Sequence, residues 1–380
     1  MSKDFEINVL TKDLIHALNF AGGIVEKRNV RPILGNVKLT AKDDHLLITA
    51  TSNDISLQIT IGATVKSEGE TTVNILTLLE IVRKLSDNTI SIIFNHKVEQ
   101  LEVKGESFTS HLATLPASDF PVLDNTTDDI SFKVSAKSLL RLIIHSEFAM
   151  STEETRYNLN GIFINSSKPN KLTATAIDGH RLATITDDIE INSNLGLILP
   201  KRIVFELIKI LKDSRYSELD IDVKCNSNKI AFAIDNLHII SKLIDATFPD
   251  YQSFIPTENK NKLLIHSKLL AQVVDRVATV THDKFRAIKI AISKDLVEVS
   301  AFGETKGTAK EILFNTDNDK KFLYEGEAIT IGFNPKYLLD ILKNMEDQEI
   351  EVLLASSVDP ILLKPITYEN DQHIIMPMKV

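Results

Sequence analysis

The stretch PKRIVFELIKIL, residues 200–211, has the apolar spacing of an α-helix that buries one face. Its apolar stripe consists of Ile203, Val204, Leu207, Ile208 and Leu211. Two further stretches share this pattern: NILTLLEIVRKL at residues 74–85 and NPKYLLDILKNM at residues 334–345. The three stretches begin 126 and 134 residues apart, which predicts three copies of one structural unit.

Two other patterns recur with nearly the same spacing. A second helical pattern begins at Leu14, Leu139 and Leu269. A turn that leads into a strand occurs at Leu46, Leu172 and Leu296. The spacings are 125 and 130 residues for the helical pattern, and 126 and 124 for the turn. Three independent patterns therefore agree on a repeat of about 127 residues.

Each repeat is predicted to combine two helices with a sheet. Between the helical stretches, residues 55–61 alternate apolar and polar side chains, as a half-buried strand does. Packing the helices on the sheet would bury both apolar faces, so the predicted fold class is α+β with three repeated two-helix plus sheet domains. Polar stretches near residues 124–129 and 256–262 suggest the domains 1–125, 130–252 and 258–380.

Composition excludes several classes of protein. The chain has 380 residues, of which 43% are hydrophobic, and this is ordinary globular usage. A single cysteine, Cys225, rules out an internal disulfide framework and a cysteine cluster for metal, and it favours a reducing compartment. The sequence contains neither an export signal nor an apolar run long enough for a membrane span. We therefore expect a cytoplasmic protein that binds no membrane.

Charge is distributed unevenly along the chain. The net formal charge is −9, yet the six predicted helical segments with their flanking turns sum to +10, which leaves −19 for the remainder. Basic helices on an acidic protein favour contact with nucleic-acid phosphates without base reading. The alternative is that Lys and Arg simply serve as good helix formers on solvated faces. The absence of Trp and the 6% aromatic content argue against a base-stacking platform.

Motifs of catalysis and metal binding are missing from the sequence. There is no Walker loop, no GxGxxG after a strand and no HExxH. The Gly22-Gly23 pair is interpreted as the end of the helix that starts near Leu14. The ten His residues include no pair at the spacing that would place two ligands on one helical face, so no metal site is predicted.

Two short motifs remain open to more than one interpretation. Asp178-Gly179-His180-Arg181 is either a turn with exposed polar groups or an acid–base pair of Asp178 with His180. The turn is the favoured interpretation, because adjacent residues point in different directions. Met376-Pro377-Met378 near the C-terminus is either ordinary core or a stiff, adaptable apolar surface for a partner. Taken alone, this motif favours core.

Seven strings in order resemble the bacterial DNA sliding clamp family, the beta subunits of DNA polymerase III, over essentially the whole chain. They are RPILGN (31–36), TLPASDFP (114–121), RYNLNG (156–161), DGHRLA (178–183), SKLIDATFPDY (241–251), DKFRAI (283–288) and the terminal MPMKV. The resemblance implies a head-to-tail homodimer of three-domain chains, a ring with helices lining the hole. It implies a non-enzymatic processivity factor that encircles duplex DNA without sequence preference and requires no cofactor.

The resemblance also implies site residues. The cleft for client peptides, which the polymerase catalytic subunit, the clamp loader and repair proteins would occupy, maps to Leu159, Ile177, Gly179, His180, Arg181, Leu182, Pro249, Phe254, Ile374, Met376, Pro377 and Met378. DNA contacts map to Arg28, Tyr157, Lys201 and Arg202, and charge alone adds Lys27 and Arg83. The dimer seam maps to Ser110 and Leu112 facing Arg276, Thr279 and Val280. Two alternatives remain: a protein-binding scaffold that does not encircle DNA, and an enzyme.

Overall fold

The computed structural model describes residues 4–26, 31–121, 123, 130–166, 168–191, 193–281, 287–316 and 319–379. Within these ranges the chain forms six α-helices and 25 strands, which follow one order three times. The predicted threefold α+β organisation is therefore confirmed at the level of secondary structure. None of the helices in the described ranges combines the length and apolar character that a membrane crossing requires.

The elements of the three repeats correspond one to one, with a single extra strand, β21, in the third. The first repeat contains β1 (Phe5–Leu10), α1 (Thr11–Ile24), β2 (Asn36–Lys42), β3 (His45–Thr51), β4 (Ile55–Ser67), β5 (Gly69–Asn74), α2 (Ile75–Lys84), β6 (Thr89–Asn95), β7 (Gln100–Lys104) and β8 (Thr109–Leu115). The second contains β9 (Ile130–Ser135), α3 (Ala136–Ile144), β10 (Gly161–Asn165), β11 (Lys171–Ile177), β12 (Arg181–Asp188), β13 (Gly196–Pro200), α4 (Lys201–Lys212), β14 (Asp220–Cys225), β15 (Lys229–Ile234) and β16 (Leu237–Lys242). The third contains β17 (Asn261–His266), α5 (Ser267–Ala278), β18 (Ile288–Ser293), β19 (Leu296–Gly303), β20 (Gly307–Phe314), β21 (Phe322–Glu325), β22 (Ile329–Phe333), α6 (Pro335–Asn344), β23 (Glu349–Leu354), β24 (Ile361–Pro365) and β25 (Gln372–Ile375).

Local sequence explains where the helices begin and end. The Asn74 side chain caps α2 by accepting a hydrogen bond from the Thr77 N–H, and Asn334 caps α6 in the same way, followed by Pro335 at the first helical position. Gly22 and Gly23 lie in the last turn of α1, close to the end that the sequence predicts. A Cβ on Gly23 would come within 2.2 Å of the Glu206 carboxylate, so a larger residue there would require the Glu206 side chain of α4 to move.

The structure forms two compact units. The first unit comprises Met1–Leu140 and Arg202–Leu243, and it holds a 12-stranded antiparallel sheet. Strand β4 pairs through Ile55–Ile59 with β16 and through Ala63–Ser67 with β1. Since β1 also pairs with β6, the pairings of strands β1 to β8 form a closed circuit, and α1 packs against β3 and β4. The predicted alternation is confirmed in β4, where Ile55, Leu57, Ile59 and Ile61 are buried.

The second unit comprises Arg141–Lys201 and Ile244–Val380. A nine-stranded sheet runs in the order β13-β10-β11-β12-β25-β24-β23-β17-β21, and a four-stranded sheet runs β20-β19-β18-β22. Helices α5 and α6 pack together over a core that includes Val273, Val274, Leu338 and Ile341. Strand β12 joins β25 in the nine-stranded sheet, and this pairing positions the candidate site.

Candidate functional site

The turn that leads into β12 is built around one carboxylate. Asp178 Oδ1 accepts hydrogen bonds from the backbone N–H groups of His180, at 2.9 Å, and Arg181, at 3.0 Å. Gly179 has φ +91°, a conformation that favours glycine. The Asp178 side chain is only 14% exposed, so the expectation of two exposed polar groups is wrong for Asp178 and correct for His180.

The Arg181 guanidinium is buried in the second unit, and each of its three nitrogens donates a hydrogen bond. It donates to Asp178 Oδ2 at 3.0 Å, to Asp340 Oδ2 at 2.6 Å and to the Phe148 carbonyl at 2.6 Å. It also lies 4.6 Å from the centre of the Tyr337 ring. Paired charges with several hydrogen bonds are costly to disrupt in a buried setting. Arg181 is therefore a positioning residue that connects the turn to α6.

An apolar row crosses four neighbouring strands beside this turn. Ile177 pairs with Leu182, Leu182 pairs with Ile374, and Ile374 pairs with Leu362. Residues opposite each other on neighbouring strands share a sheet face. Leu159 joins Leu182, Leu362 and Ile374 in one buried cluster, together with Phe248 and Tyr251. We call Ile177, Leu182, Ile374 and Leu362 the apolar row.

Several apolar side chains close in sequence to members of this cluster are exposed or half-buried, and we call them its rim. Phe254 is 50% exposed, Met376 44% and Met378 38%, while Pro249 and Pro377 are half-buried. The interpretation of Met376-Pro377-Met378 as ordinary core is therefore wrong. Apolar surface concentrated in this way is typical of a protein-binding site.

Backbone hydrogen bonds fix the C-terminal segment at two points. The Met376 N–H donates to the His180 carbonyl at 2.8 Å, and the Met378 N–H donates to the Gly332 carbonyl at 2.8 Å. The His180 ring is exposed and stacks on Tyr337, with ring centres 5.6 Å apart. All twelve predicted cleft residues thus lie in the second unit, on the turn, the apolar row, its buried cluster, its rim or this segment.

Tyr337 and Phe148 belong to the same site although the sequence interpretation omits them. Tyr337 contacts both His180 and Arg181, and Phe148 supplies a carbonyl acceptor and a ring for Arg181. One signal was available for Tyr337, because it lies off the apolar stripe of α6 formed by Leu338, Ile341 and Leu342.

The predicted DNA contacts fall into separate local settings. In the second unit, Tyr157 is 59% exposed. The Lys201 backbone N–H donates a hydrogen bond to the carbonyl of Asn160, which is three residues after Tyr157. In the first unit, Arg83 is exposed and bonds Asn19, and Arg202 forms an ion pair with Glu26 at 2.9 Å. Lys27 and Arg28 lie outside the described residues.

Ion pairs offset part of the helical positive charge on which the nucleic-acid hypothesis depends. Basic residues of the helices with a carboxylate partner are Lys84, Lys137, Arg141, Arg202, Lys209, Lys268 and Arg276. The charge asymmetry in the sequence therefore overstates the cationic character that the helices present.

The predicted seam residues lie on the edge strand β8 and at the C-terminal end of helix α5, beside the edge strand β20. Ser110 and Leu112 belong to β8, whose residues 109–113 pair on one side with β7; in the described residues β5 reaches only Thr114 and Leu115. In the second unit β20 is the outermost strand of its sheet, and Arg276 donates two hydrogen bonds to its Glu311, at 2.9 and 2.6 Å. These bonds lower the pKa of Glu311 and raise that of Arg276. Thr279 and Val280 directly follow α5.

Comparison with known proteins identifies the family. Sequence models for the N-terminal, central and C-terminal domains of the DNA polymerase III beta subunit match residues 5–124, 133–250 and 252–379. The chain belongs to the DNA polymerase III beta subunit family. The beta sliding clamp of Rickettsia bellii is 41% identical over 382 residues, covering 99% of this chain and 100% of that protein.

Further relatives agree in sequence and in fold. The beta sliding clamp of Rickettsia felis is 41% identical over 378 residues, with 98% of this chain and 99% of that protein covered. The crystal structure of the sliding clamp from Bartonella birtlesii, bound to griselimycin, has a TM-score of 0.92 at 31% identity, with 100% of both chains covered. The chain therefore has the three-domain DNA clamp fold.

Membership in the clamp family excludes the enzyme hypothesis. Beta subunits are processivity clamps and not enzymes, so the hypothesis of an Asp178–His180 acid–base pair is wrong. The geometry agrees, because Asp178 bonds the backbone of His180. Among the described residues no three His, Cys, Asp or Glu side chains form a group that could hold a metal ion.

Proposed function

We propose that two copies of this clamp chain associate head to tail into a ring of six domains, with helices lining the hole, that encircles duplex DNA. The observation that carries this proposal is the match to the clamp family over the full chain in both sequence and fold. The proposed domains remain 1–125, 130–252 and 258–380, and the proposed location is the cytoplasm.

The two strand edges support the proposed dimer. In the proposed dimer, the free side of β8 at residues 109–113 in one copy pairs with the free side of β20 in the other copy. This pairing would extend a sheet across the seam. Unpaired edge strands are the parts of a sheet that most readily accept another chain. A contact between two different surfaces closes a ring when the rotation allows it.

Electrostatics support sequence-independent sliding. We propose that Lys27, Arg28, Arg83, Tyr157, Lys201 and Arg202 face the DNA. Several helical cations are already paired with carboxylates, so contacts with phosphate would be weak and salt-sensitive. Weak contacts suit a ring, because a closed ring is retained on DNA by its topology and moves freely along it.

The candidate cleft supports a tethering function. We propose that clients, namely the replicative polymerase catalytic subunit, the clamp loader and repair proteins, insert apolar side chains over the apolar row and its rim. A few such anchors in a largely desolvated pocket commonly dominate binding energy. The exposed His180 ring and the rim side chains Phe254 and Met376 would contact the inserted peptide.

Two measurements test the ring. Molar mass from light scattering across a dilution series should approach twice 42.5 kDa at micromolar chain concentration. After loading, the protein should remain on circular duplex DNA and be lost once the same DNA is linearised. A persistent 42.5 kDa monomer contradicts the dimer, and equal loss from both DNA forms favours the alternative scaffold that does not encircle DNA.

A further inference from the structure

A groove lies on the same nine-stranded sheet as the predicted cleft residues of the apolar row. Its volume is about 430 Å³, and its lining includes Thr173, Thr184, Thr186, Gln372, Tyr251 and Ile255. None of these residues belongs to the predicted cleft. The position of the groove relative to the apolar row therefore decides whether one peptide could contact both.

Strand register places the groove and the apolar row on one sheet face. Along β12, Leu182, Thr184 and Thr186 alternate with residues of the other face, and along β25 Gln372 precedes Ile374 by two. The face therefore changes from apolar at Leu182 to hydroxyl-bearing at Thr186. Four residues of strand correspond to about 13 Å, the length of a short extended peptide segment.

Two residues of the wall connect the groove with the apolar cluster. Tyr251 is a buried member of the cluster that contains Leu182 and Ile374, and Ile255 packs against that cluster. Both residues also line the groove. A chain lying over the apolar row would therefore meet the groove as it extends along β12.

Paired hydroxyl groups give this groove hydrogen-bonding capacity. The hydroxyls of Thr173 and Thr186 are 3.0 Å apart, and those of Thr175 and Thr184 are also 3.0 Å apart. In each pair one hydroxyl donates to the other, which leaves the second O–H and further lone pairs for other partners. Thr173 and Thr186 are half-buried, whereas Thr175 is fully buried, so the first pair is the accessible one.

Charges around the groove are mixed in sign. Lys168, Lys171 and Glu369 all line it. Lys171 is already paired with Asp188, at 3.0 Å. Such a surface favours a neutral, hydrogen-bonding ligand over a strongly acidic peptide or a nucleic-acid backbone.

We propose that the groove binds the polar flank of a client peptide, an extended segment of about four residues rich in hydroxyl and amide side chains, adjacent to the apolar anchors. This inference rests on the proposed client cleft. In this proposal the apolar row provides the main binding energy for any client peptide. The Thr173–Thr186 pair then favours peptides whose flanking residues can form hydrogen bonds with it.

Synthetic peptides separate the two parts of the site. The core probe carries two leucines and a phenylalanine between glycines. Extended probes add serine, asparagine, threonine and serine on the amino side or on the carboxyl side, and matched controls add glycine and alanine instead. Binding to the full-length protein is measured by fluorescence anisotropy, and methyl NMR of labelled Ile, Leu and Thr locates each contact.

Isosteric variants remove the hydroxyls without changing side-chain shape. Thr173→Val and Thr186→Val keep the β-branched form that suits a strand. Thr330→Val, at an exposed strand position of the four-stranded sheet, is the matched control. Unchanged thermal unfolding of the three variants confirms that they fold.

One polar flank should tighten binding by about three- to tenfold over the core probe, the gain expected from one or two hydrogen bonds. That gain should disappear in Thr173→Val and Thr186→Val and persist in Thr330→Val, with core affinity unchanged in all three. The Thr173 and Thr186 methyl signals should respond to the flank alone. Equal affinity of the core and polar-flanked probes, or a gain in affinity that persists in both variants, contradicts the proposed role of the groove. Neither result contradicts the proposed cleft. A core probe that leaves the Leu182 and Ile374 methyl signals unchanged overturns the proposed cleft, and the groove with it.

Discussion

The carboxylate of Asp178 accepts a hydrogen bond from the backbone N–H of His180, at 2.9 Å, and so holds the turn that places the His180 carbonyl beneath Met376. The same carboxylate bonds the Arg181 N–H and its Nε. One buried side chain therefore connects the turn, the C-terminal segment and, through Arg181, helix α6.

Replacing Asp178 with Ala should destabilise the protein and weaken client binding together. The change removes three accepted hydrogen bonds, one from a charged donor, and we expect a loss of about 2 kcal/mol in unfolding free energy. Binding of a polymerase peptide should fall about tenfold, because the turn no longer positions Met376. Urea unfolding and anisotropy measure the two effects.

The Asn variant and an exposed aspartate provide the controls for this prediction. Asp178→Asn keeps an oxygen acceptor for the backbone N–H groups and loses the charge, so its effects should be about half as large. Asp245→Ala removes an exposed carboxylate and should change neither quantity. Full peptide binding by Asp178→Ala would show that the turn does not shape the cleft.

Alanine substitutions at three glycines distinguish the cost of backbone strain from the cost of a steric clash with a neighbouring side chain. Gly179 and Gly307 both have φ +91°; a Cβ on Gly179 would lie 2.8 Å from Arg156 Nη1, whereas Gly307 and Gly62 have open space. Gly307→Ala should cost about 1 kcal/mol through its φ alone, Gly179→Ala the same or slightly more, and Gly62→Ala nothing. Only Gly179→Ala should weaken peptide binding. Equal stability of all three variants by urea unfolding contradicts the strain argument.

The positions of the helices and of the repeated strands can be predicted from the sequence, because they depend on local spacing of apolar residues. Helices α2, α4 and α6 begin one residue after the starts of their predicted segments. Helices α1, α3 and α5 begin two or three residues before Leu14, Leu139 and Leu269, and the strands predicted at Leu46, Leu172 and Leu296 are present. Periodicity is a local property, so no tertiary contact overrides it in these elements.

Contacts between distant residues explain what the sequence analysis misses. Arg181 and Asp340 are 159 residues apart, so no spacing pattern indicates that the Arg181 charge is paired inside the protein. Met376 and Met378 resemble core because apolar residues are usually buried, yet two backbone hydrogen bonds hold them at the surface. The pairing of Thr173 with Thr186 likewise depends on the register between β11 and β12, a relation between two strands that neither strand shows by itself.

Acid should destabilise the second unit through His373. Its ring is fully buried, near Arg141 and His145, and burial lowers the pKa of His373 to about 3, against an ordinary value of 6.5. Between these values the unfolded chain binds one more proton, so stability falls as pH falls. Burial raises the pKa of Asp371, which acts in the opposite direction nearer its ordinary 3.8. Between pH 6.5 and 5, His373 should cost about 2 kcal/mol.

Urea unfolding at pH 7.5, 6 and 5 measures this loss. His373→Gln removes the titrating group and should flatten the pH dependence over that range. His238→Gln, at an exposed strand position, is the matched control and should retain the slope of the unmodified protein. A His373→Gln variant with an unchanged slope would assign the acid sensitivity to other groups.

Charge at position 110 tests the proposed seam. If Ser110 on β8 of one copy faces Arg276 of the other, Ser110→Arg places two cations together and should weaken the dimer at least about tenfold, since like charges across an interface are costly. Ser110→Glu also adds a long side chain but has the opposite charge, and it should change the dimer dissociation constant by no more than about threefold, because an opposite charge beside Arg276 is favourable.

Ser227→Arg, on an exposed turn, controls for added charge alone. Light scattering across a dilution series measures all three, and equal weakening by Arg and Glu would mean that bulk at Ser110, and not Arg276, governs the contact.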